Sequence, residues 1–218
     1  MTNTNKTRRL TLIAMIAAMA YVIMLVGRIP VVMFLKYDPK DIVIAIGGFM
    51  MGPGAAALIS ALVSLIEMVT VSETGIIGCI MNVISTLAFV FPAAWIYHHK
   101  RTLKSAAVGL VSGAVLMTAV MLAWNYILTP IYMGYPRAAV AEMLVPVFLP
   151  FNLLKGLLNA AFTMLLYKPV ATALRRSRFL APESDKPVSA KKFHPTILAS
   201  CGVLIVTCIL LMYLLGHH

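Results

Sequence analysis

The stretch Asn152-Leu153-Leu154-Lys155-Gly156-Leu157-Leu158-Asn159 decides how this chain is read. Asn152 lies three residues before Lys155 and Asn159 four after. On a helix those offsets place the three polar side chains on one face. The apolar run around them, about residues 146–174, is long enough to cross a bilayer. A lysine in a membrane span costs about 3 kcal/mol or more unless it is paired or wetted. A stripe of this kind therefore reads as a functional site facing a cavity.

Composition supports the membrane setting. Of the 218 residues, 61% are hydrophobic and 11% charged, with mean hydropathy +0.93. Soluble domains are about half apolar and about a quarter charged. The chain is therefore read as an all-α, multi-pass protein embedded in the lipid bilayer. A net charge of +11 invites a nucleic-acid partner, but the basic residues sit in short segments between apolar runs, and no nucleic acid is expected. Cys79, Cys201 and Cys208 all lie in apolar segments and have no metal-binding spacing.

Apolar runs predict spans at residues 10–27, 42–51, 55–71, 76–97, 105–128, 146–174 and 197–215. The organisation is a six-helix membrane domain over residues 1–178, a basic cytoplasmic linker over 179–194 and an additional C-terminal transmembrane helix over 195–218. The first run follows Lys6, Arg8 and Arg9 like a signal peptide but continues to Gly27, so it reads as an uncleaved helix. Residues 28–41 read as a polar loop. The run 42–51 is too short for a full crossing, and such short, Gly/Pro-bounded spans often lie beside substrate sites. With the N-terminus in the cytoplasm, inside segments hold Lys6, Arg8, Arg9, Lys100, Arg101, Lys104, Lys168, Arg175, Arg176, Arg178, Lys186, Lys191 and Lys192, which is 13 cations. Outside segments hold Arg28, Lys36, Lys40 and Arg137, which is 4. The positive-inside rule fixes that orientation.

The remaining in-membrane polar residues then share a depth. Glu67, Asn82, Asn125, Asn152 and Lys155 all fall in the outer half of the bilayer. A pocket opening outward explains the shared depth, while interhelical hydrogen bonds explain each residue singly. Glu67 is a candidate to neutralise Lys155. In the inner half, Ala14, Ala17 and Ala18 in the first span, and Gly109 and Gly113 in the fifth, permit close approach of another helix. That helix belongs either to a partner protein or to this chain. No Walker A loop, zinc-protease or nucleophile-elbow motif occurs.

Three segments resemble one family. Leu35-Lys36-Tyr37-Asp38-Pro39-Lys40-Asp41-Ile42, Gly47-Gly48-Phe49-Met50-Met51-Gly52-Pro53 and Asn152-Leu153-Leu154-Lys155 are similar to the substrate-binding S component of energy-coupling factor (ECF) vitamin transporters, most of all its riboflavin-specific group. The resemblance spans about residues 8–178. It implies a six-helix S-component bundle in a prokaryotic cell membrane that binds riboflavin as transported ligand, with no cofactor and no enzyme activity of its own. It further implies that Asn125, Asn152 and Lys155 contact the ligand under a loop carrying Leu35, Tyr37 and Asp38. Glu67 and Asn82, by their depth, and Asn159, by its place on the polar stripe, complete the expected ligand site, with Glu67 standing near where the family often has a Lys-Asn pair. Ala14, Ala17 and Ala18 would dock an ECF transmembrane coupling protein served by two cytosolic ATPase subunits. The seventh run departs from the family and reads as an extra anchor. Alternatives are an S component for another vitamin or nucleobase-like ligand, an intramembrane enzyme using Lys155, and a ligand-free scaffold.

Overall fold

Long apolar runs leave the backbone no partner but itself inside lipid, so the chain forms helices. The structure, a computed structural model, describes residues 3–32, 35–72, 74–176 and 195–217. In order come α1 (Asn3–Gly27), β1 (Ile29–Val32), β2 (Leu35–Tyr37), α2 (Lys40–Met51), α3 (Pro53–Thr70), α4 (Gly75–Lys100), α5 (Leu103–Met133), α6 (Arg137–Met143), a π-helical turn (Leu144–Phe148), α7 (Leu149–Arg176) and α8 (Pro195–His217). Among the described residues, six segments are long and apolar enough to cross a membrane: Lys6–Gly27, Pro53–Thr70, Gly75–Lys100, Leu103–Ile131, Arg137–Ala173 and Ala199–Gly216. The protein is thus a multi-pass helical bundle. The basic linker at 179–194 lies outside the described residues.

The expected short span is α2. It starts two residues earlier than the apolar run and has 12 residues, roughly 18 Å of helix. Its helix is sheathed by α1, α3, α4 and α7, with nine of its residues buried from Lys40 to Phe49. A buried helix does not have to match the bilayer thickness. Gly47 and Gly48 allow this sheathing, because a Cβ on Gly48 would lie 3.1 Å from Ala56 and 3.2 Å from Ala94.

The fold is the expected helical membrane bundle, and the residues read as a polar loop carry a small antiparallel β1–β2 hairpin, with Ile29 opposite Tyr37 and Pro30 opposite Lys36. The strands have four and three residues, too short to show periodicity. Pro30 is tolerated because neither strand is central. The sixth span starts earlier than the apolar run at 146–174, because α6 runs on through the π turn into α7. Pro146 lies within that turn and has no N–H to donate, the usual origin of a widened turn.

The main core joins α1 to α5 with α7, through residues such as Ile16, Ala20, Ile59, Phe89, Ala93, Leu110 and Met117. Gly109 and Gly113 pack within the chain, against α4: Cβ atoms placed there would fall 2.9 Å from the Ala93 carbonyl oxygen and 2.1 Å from that of Phe89. Gly113→Val should therefore lower the melting temperature in detergent, with a loss of about 1–3 kcal/mol from overpacking. Gly202→Val on α8, where a Cβ meets nothing within 4 Å, should leave it unchanged, and equal melting of the two variants would refute this packing.

Candidate functional site

The hairpin, Val71, Ser72 and Thr74, and helices α3, α4, α5 and α7 enclose a cavity of about 130 Å³. Its lining contains Leu35, Asp38, Glu67, Asn82, Asn125, Asn152 and Lys155, seven residues expected at the site. Arg28, Lys36, Ser85, Met81, Met121 and Phe151 complete much of the wall. Two expected residues lie deeper. Asn159 is fully buried one turn beyond Lys155, and Tyr37 is buried against Leu158, Cys208 and Met212.

Asp41, the second residue of α2, joins these layers. Its carboxylate accepts a 2.7 Å hydrogen bond from Thr86 Oγ1 and a 3.4 Å bond from Asn159 Nδ2, and it lies 3.8 Å from Lys155 Nζ. Tyr37 donates its hydroxyl to Asn159 Oδ1 at 2.9 Å. Burial, then the carboxylates of Asp41 and Asp38, push the Tyr37 phenol well above its ordinary range, which keeps it a donor. The Asn159 amide is thereby held at both ends, supporting the site rather than lining it.

A second network lies nearer the rim. Arg28 Nε pairs with Asp38 at 2.8 Å and its Nη2 also reaches Glu67, while Lys40 pairs with Glu67 and lies 3.7 Å from Asp38. Glu67 therefore does not neutralise Lys155. Lys40 and Arg28 claim it, and Asp41 is the anion beside Lys155. Burial raises the Asp38 carboxyl, but Lys40, Lys155 and Arg28 outweigh it and hold the group below the usual carboxylate range. Burial likewise opposes the Arg28 charge, and its bonds to Asp38 and Glu67 more than offset that, so its pKa is raised. Three cations and three carboxylates thus balance across the two networks.

Two of the three cavity asparagines, Asn125 and Asn152, are oriented by their own helices. Asn125 Nδ2 donates to Met121 O and Asn152 Nδ2 to Phe148 O, each at 2.8 Å. Asn125 Oδ1 also accepts from Thr129 at 3.0 Å. The bond at Asn152 leaves its carbonyl oxygen and one N–H for a ligand. Met81, Met121 and Phe151 supply apolar surface between these groups.

The sequence marked seven of the lining residues, and Arg28, Lys40, Asp41 and Thr86 were not singled out for the site. The signals for Asp41 were its place in the family-like segment Leu35–Ile42 and beside an apolar run too short to cross. The small residues of α1 lie apart from the cavity. Ala14 and Ala18 are exposed, whereas Ala17 turns into the core, so α1 presents two of the three outward.

Comparison with known proteins identifies the family. Residues 8–167 match the family described as "ECF transporter, substrate-specific component". The riboflavin transporter RibU of Staphylococcus aureus is 31% identical over 183 residues, covering 80% of this chain and 96% of that protein. The riboflavin transporter FmnP of Bacillus subtilis is 27% identical over 177 residues, covering 75% and 92%. RibU of Streptococcus thermophilus is 30% identical over 187 residues, covering 80% and 86%. A solved structure of the S component of a bacterial ECF transporter superposes with a TM-score of 0.66 at 27% identity, covering 78% of this chain and 99% of that one. The family match spans well over half of the sequence and the solved S component shares the fold; the chain belongs to the substrate-specific components of ECF transporters.

Proposed function

We propose that this chain captures riboflavin in the hairpin-side cavity and serves as the binding subunit of an ECF-type importer. The observation that carries the reading is the convergence of Asn125, Asn152 and Lys155 on one cavity with apolar walls. The relatives' names support the vitamin. The isoalloxazine ring presents alternating donors and acceptors at its pyrimidine edge and flat apolar faces elsewhere. Asn152 offers a carbonyl and an N–H together, Lys155 donates to a ring carbonyl or to the ribityl chain, and Phe151 with Met81 and Met121 flanks the ring. Leu35 and Asp38 close the cavity from the hairpin, and Asn82 and Glu67 bound it from α4 and α3.

Drug-sized ligand sites run from roughly 300 Å³ upward, against the 130 Å³ of this cavity. Riboflavin entry thus requires the hairpin to move outward, and the ligand then takes up the space it vacates.

The charge count places the hairpin side outside the cell and the N-terminus in the cytoplasm. An ECF transmembrane coupling protein and two cytosolic ATPase subunits supply the energy, since this chain carries no Walker A loop. Riboflavin is the cargo, and no resident cofactor is needed. Ala14 and Ala18, exposed on α1, form the face that docks the coupling protein.

Protein purified from cells supplied with riboflavin should carry a flavin absorption band near one flavin per chain. Colourless protein that also fails to quench added riboflavin would sink the assignment.

The Lys155–Asp41 pair gives a sharper test. Lys155→Met and Asp41→Asn each leave one buried charge alone, which costs about 3–5 kcal/mol, and each should melt earlier. The double variant removes both charges, so its melting temperature should recover towards that of the native chain. Riboflavin affinity should stay at least tenfold weaker in Lys155→Met and in the double variant, a loss of about 1.4 kcal/mol or more. Native affinity in the stable double variant would remove Lys155 from the site.

A further inference from the structure

The part of this chain beyond the shared family core has a definite place in the fold. The family match ends at residue 167, and α8 lies beyond it. α8 packs on α7 and on β1. At its far end the approach to the hairpin is backbone to backbone: a Cβ on Gly216 would sit 2.5 Å from the Val31 carbonyl oxygen. One turn earlier, Met212 and Cys208 are buried in a cluster with Tyr37 of β2 and Leu158 of α7. Leu215 packs on a neighbouring cluster that contains Leu35, Val140, Phe148 and Phe151.

These contacts fall on the two hairpin residues that matter most to the cavity. Leu35 lines it, and Tyr37 holds the Asn159 amide that in turn donates to Asp41. Leu35 and Tyr37 share one side of β2, and α8 supports that side: Cys208 and Met212 pack with Tyr37, and Leu215 packs on the Leu35 cluster. Beside Tyr37 an apolar cleft of about 640 Å³ separates α8 from α1 and α2, bounded by Ile23, Val43, Phe162 and Met212. The hairpin thus has room to shift, and α8 is the element that limits the shift.

We infer that α8 is the back wall of the hairpin, and that Cys208, Met212 and Gly216 are positioning residues that set how long the ligand stays bound. This rests on the riboflavin reading for its kinetic arm. Releasing α8 frees Tyr37 and Leu35 to move away from the cavity, so bound ligand escapes more readily. Association, which already needs the hairpin open, changes little.

The test uses the full chain in detergent, comparing native protein with Cys208→Ala/Met212→Ala, with Gly216→Val and with Leu210→Ala. Leu210 is 57% exposed and serves as control. Two quantities are read: riboflavin association and dissociation by stopped-flow fluorescence, and amide hydrogen exchange over residues 35–42. Both α8 variants should release riboflavin at least fivefold faster with association within twofold, and should lose exchange protection in β2. Leu210→Ala should match the native chain. Gly216→Val keeps the test open if the double variant does not fold. Unchanged exchange and unchanged release in a folded α8 variant overturn the inference. If native protein binds no riboflavin, the flavin reading fails, and the exchange arm alone decides: lost protection in β2 upholds the back-wall role, and unchanged protection removes it.

Discussion

A carboxylate and an ammonium group, both taken out of water, set the terms for the rest of this fold. Asp41 and Lys155 stand 3.8 Å apart with little exposure. A buried charge that loses its partner is far more costly than the pair is beneficial. The two helices that carry them are therefore fixed in depth and rotation with respect to each other. α2 must begin at the level where α7 presents its polar stripe, which explains why it starts inside the bundle and stops after 12 residues. Thr86 and Asn159 bind the remaining lone pairs of Asp41, and Tyr37 ties the hairpin to the same point. The ligand-side geometry is inherited from this arrangement.

Beneath the network the bundle changes character. Phe49 stacks on Tyr97 with ring centroids 4.6 Å apart and meets Tyr167 edge-on at 5.3 Å, and the two tyrosine hydroxyls bond to each other. This aromatic plug joins α2, α4 and α7 below the buried charges. A ligand held above Asp41 faces close-packed side chains rather than a continuing path. That contrast favours movement of the whole loaded subunit over passage through it, in keeping with the proposed dependence on external ATPases.

Much of this was readable in the sequence, because lipid imposes simple rules. Apolar length gave the crossing helices, and the cost of polar groups in lipid singled out Glu67, Asn82, Asn125, Asn152 and Lys155, which do share one cavity. Pairing was less legible. Glu67 looked like the partner of Lys155 because it was the one acid inside an apolar span, whereas Asp41 sat at the edge of a short run and was counted with the loop. The choice between them depends on which helix ends meet in space, and spacing along the chain carries no such information. The hairpin was hidden for another reason: strands of three and four residues show no usable periodicity, and their pairing is set by the helices that bring their ends together. For Ala14, Ala17 and Ala18, spacing marked a small-residue patch without telling which member faces inward.

The π turn at Leu144–Phe148 links the binding stripe to simple residue counting. A π turn accommodates one residue more than an ordinary α-helical path. Everything after it, including Asn152, Lys155 and Asn159, is rotated by about 100° relative to an uninterrupted helix of the same length. Apart from Pro146, the side-chain identities in that turn matter less than their number. In an evolving lineage, substitutions there are tolerable, but the loss of a single residue would swing the polar face of α7 a quarter turn or more, towards lipid. Comparing such chains by alignment alone would then match asparagines that no longer point at the same space.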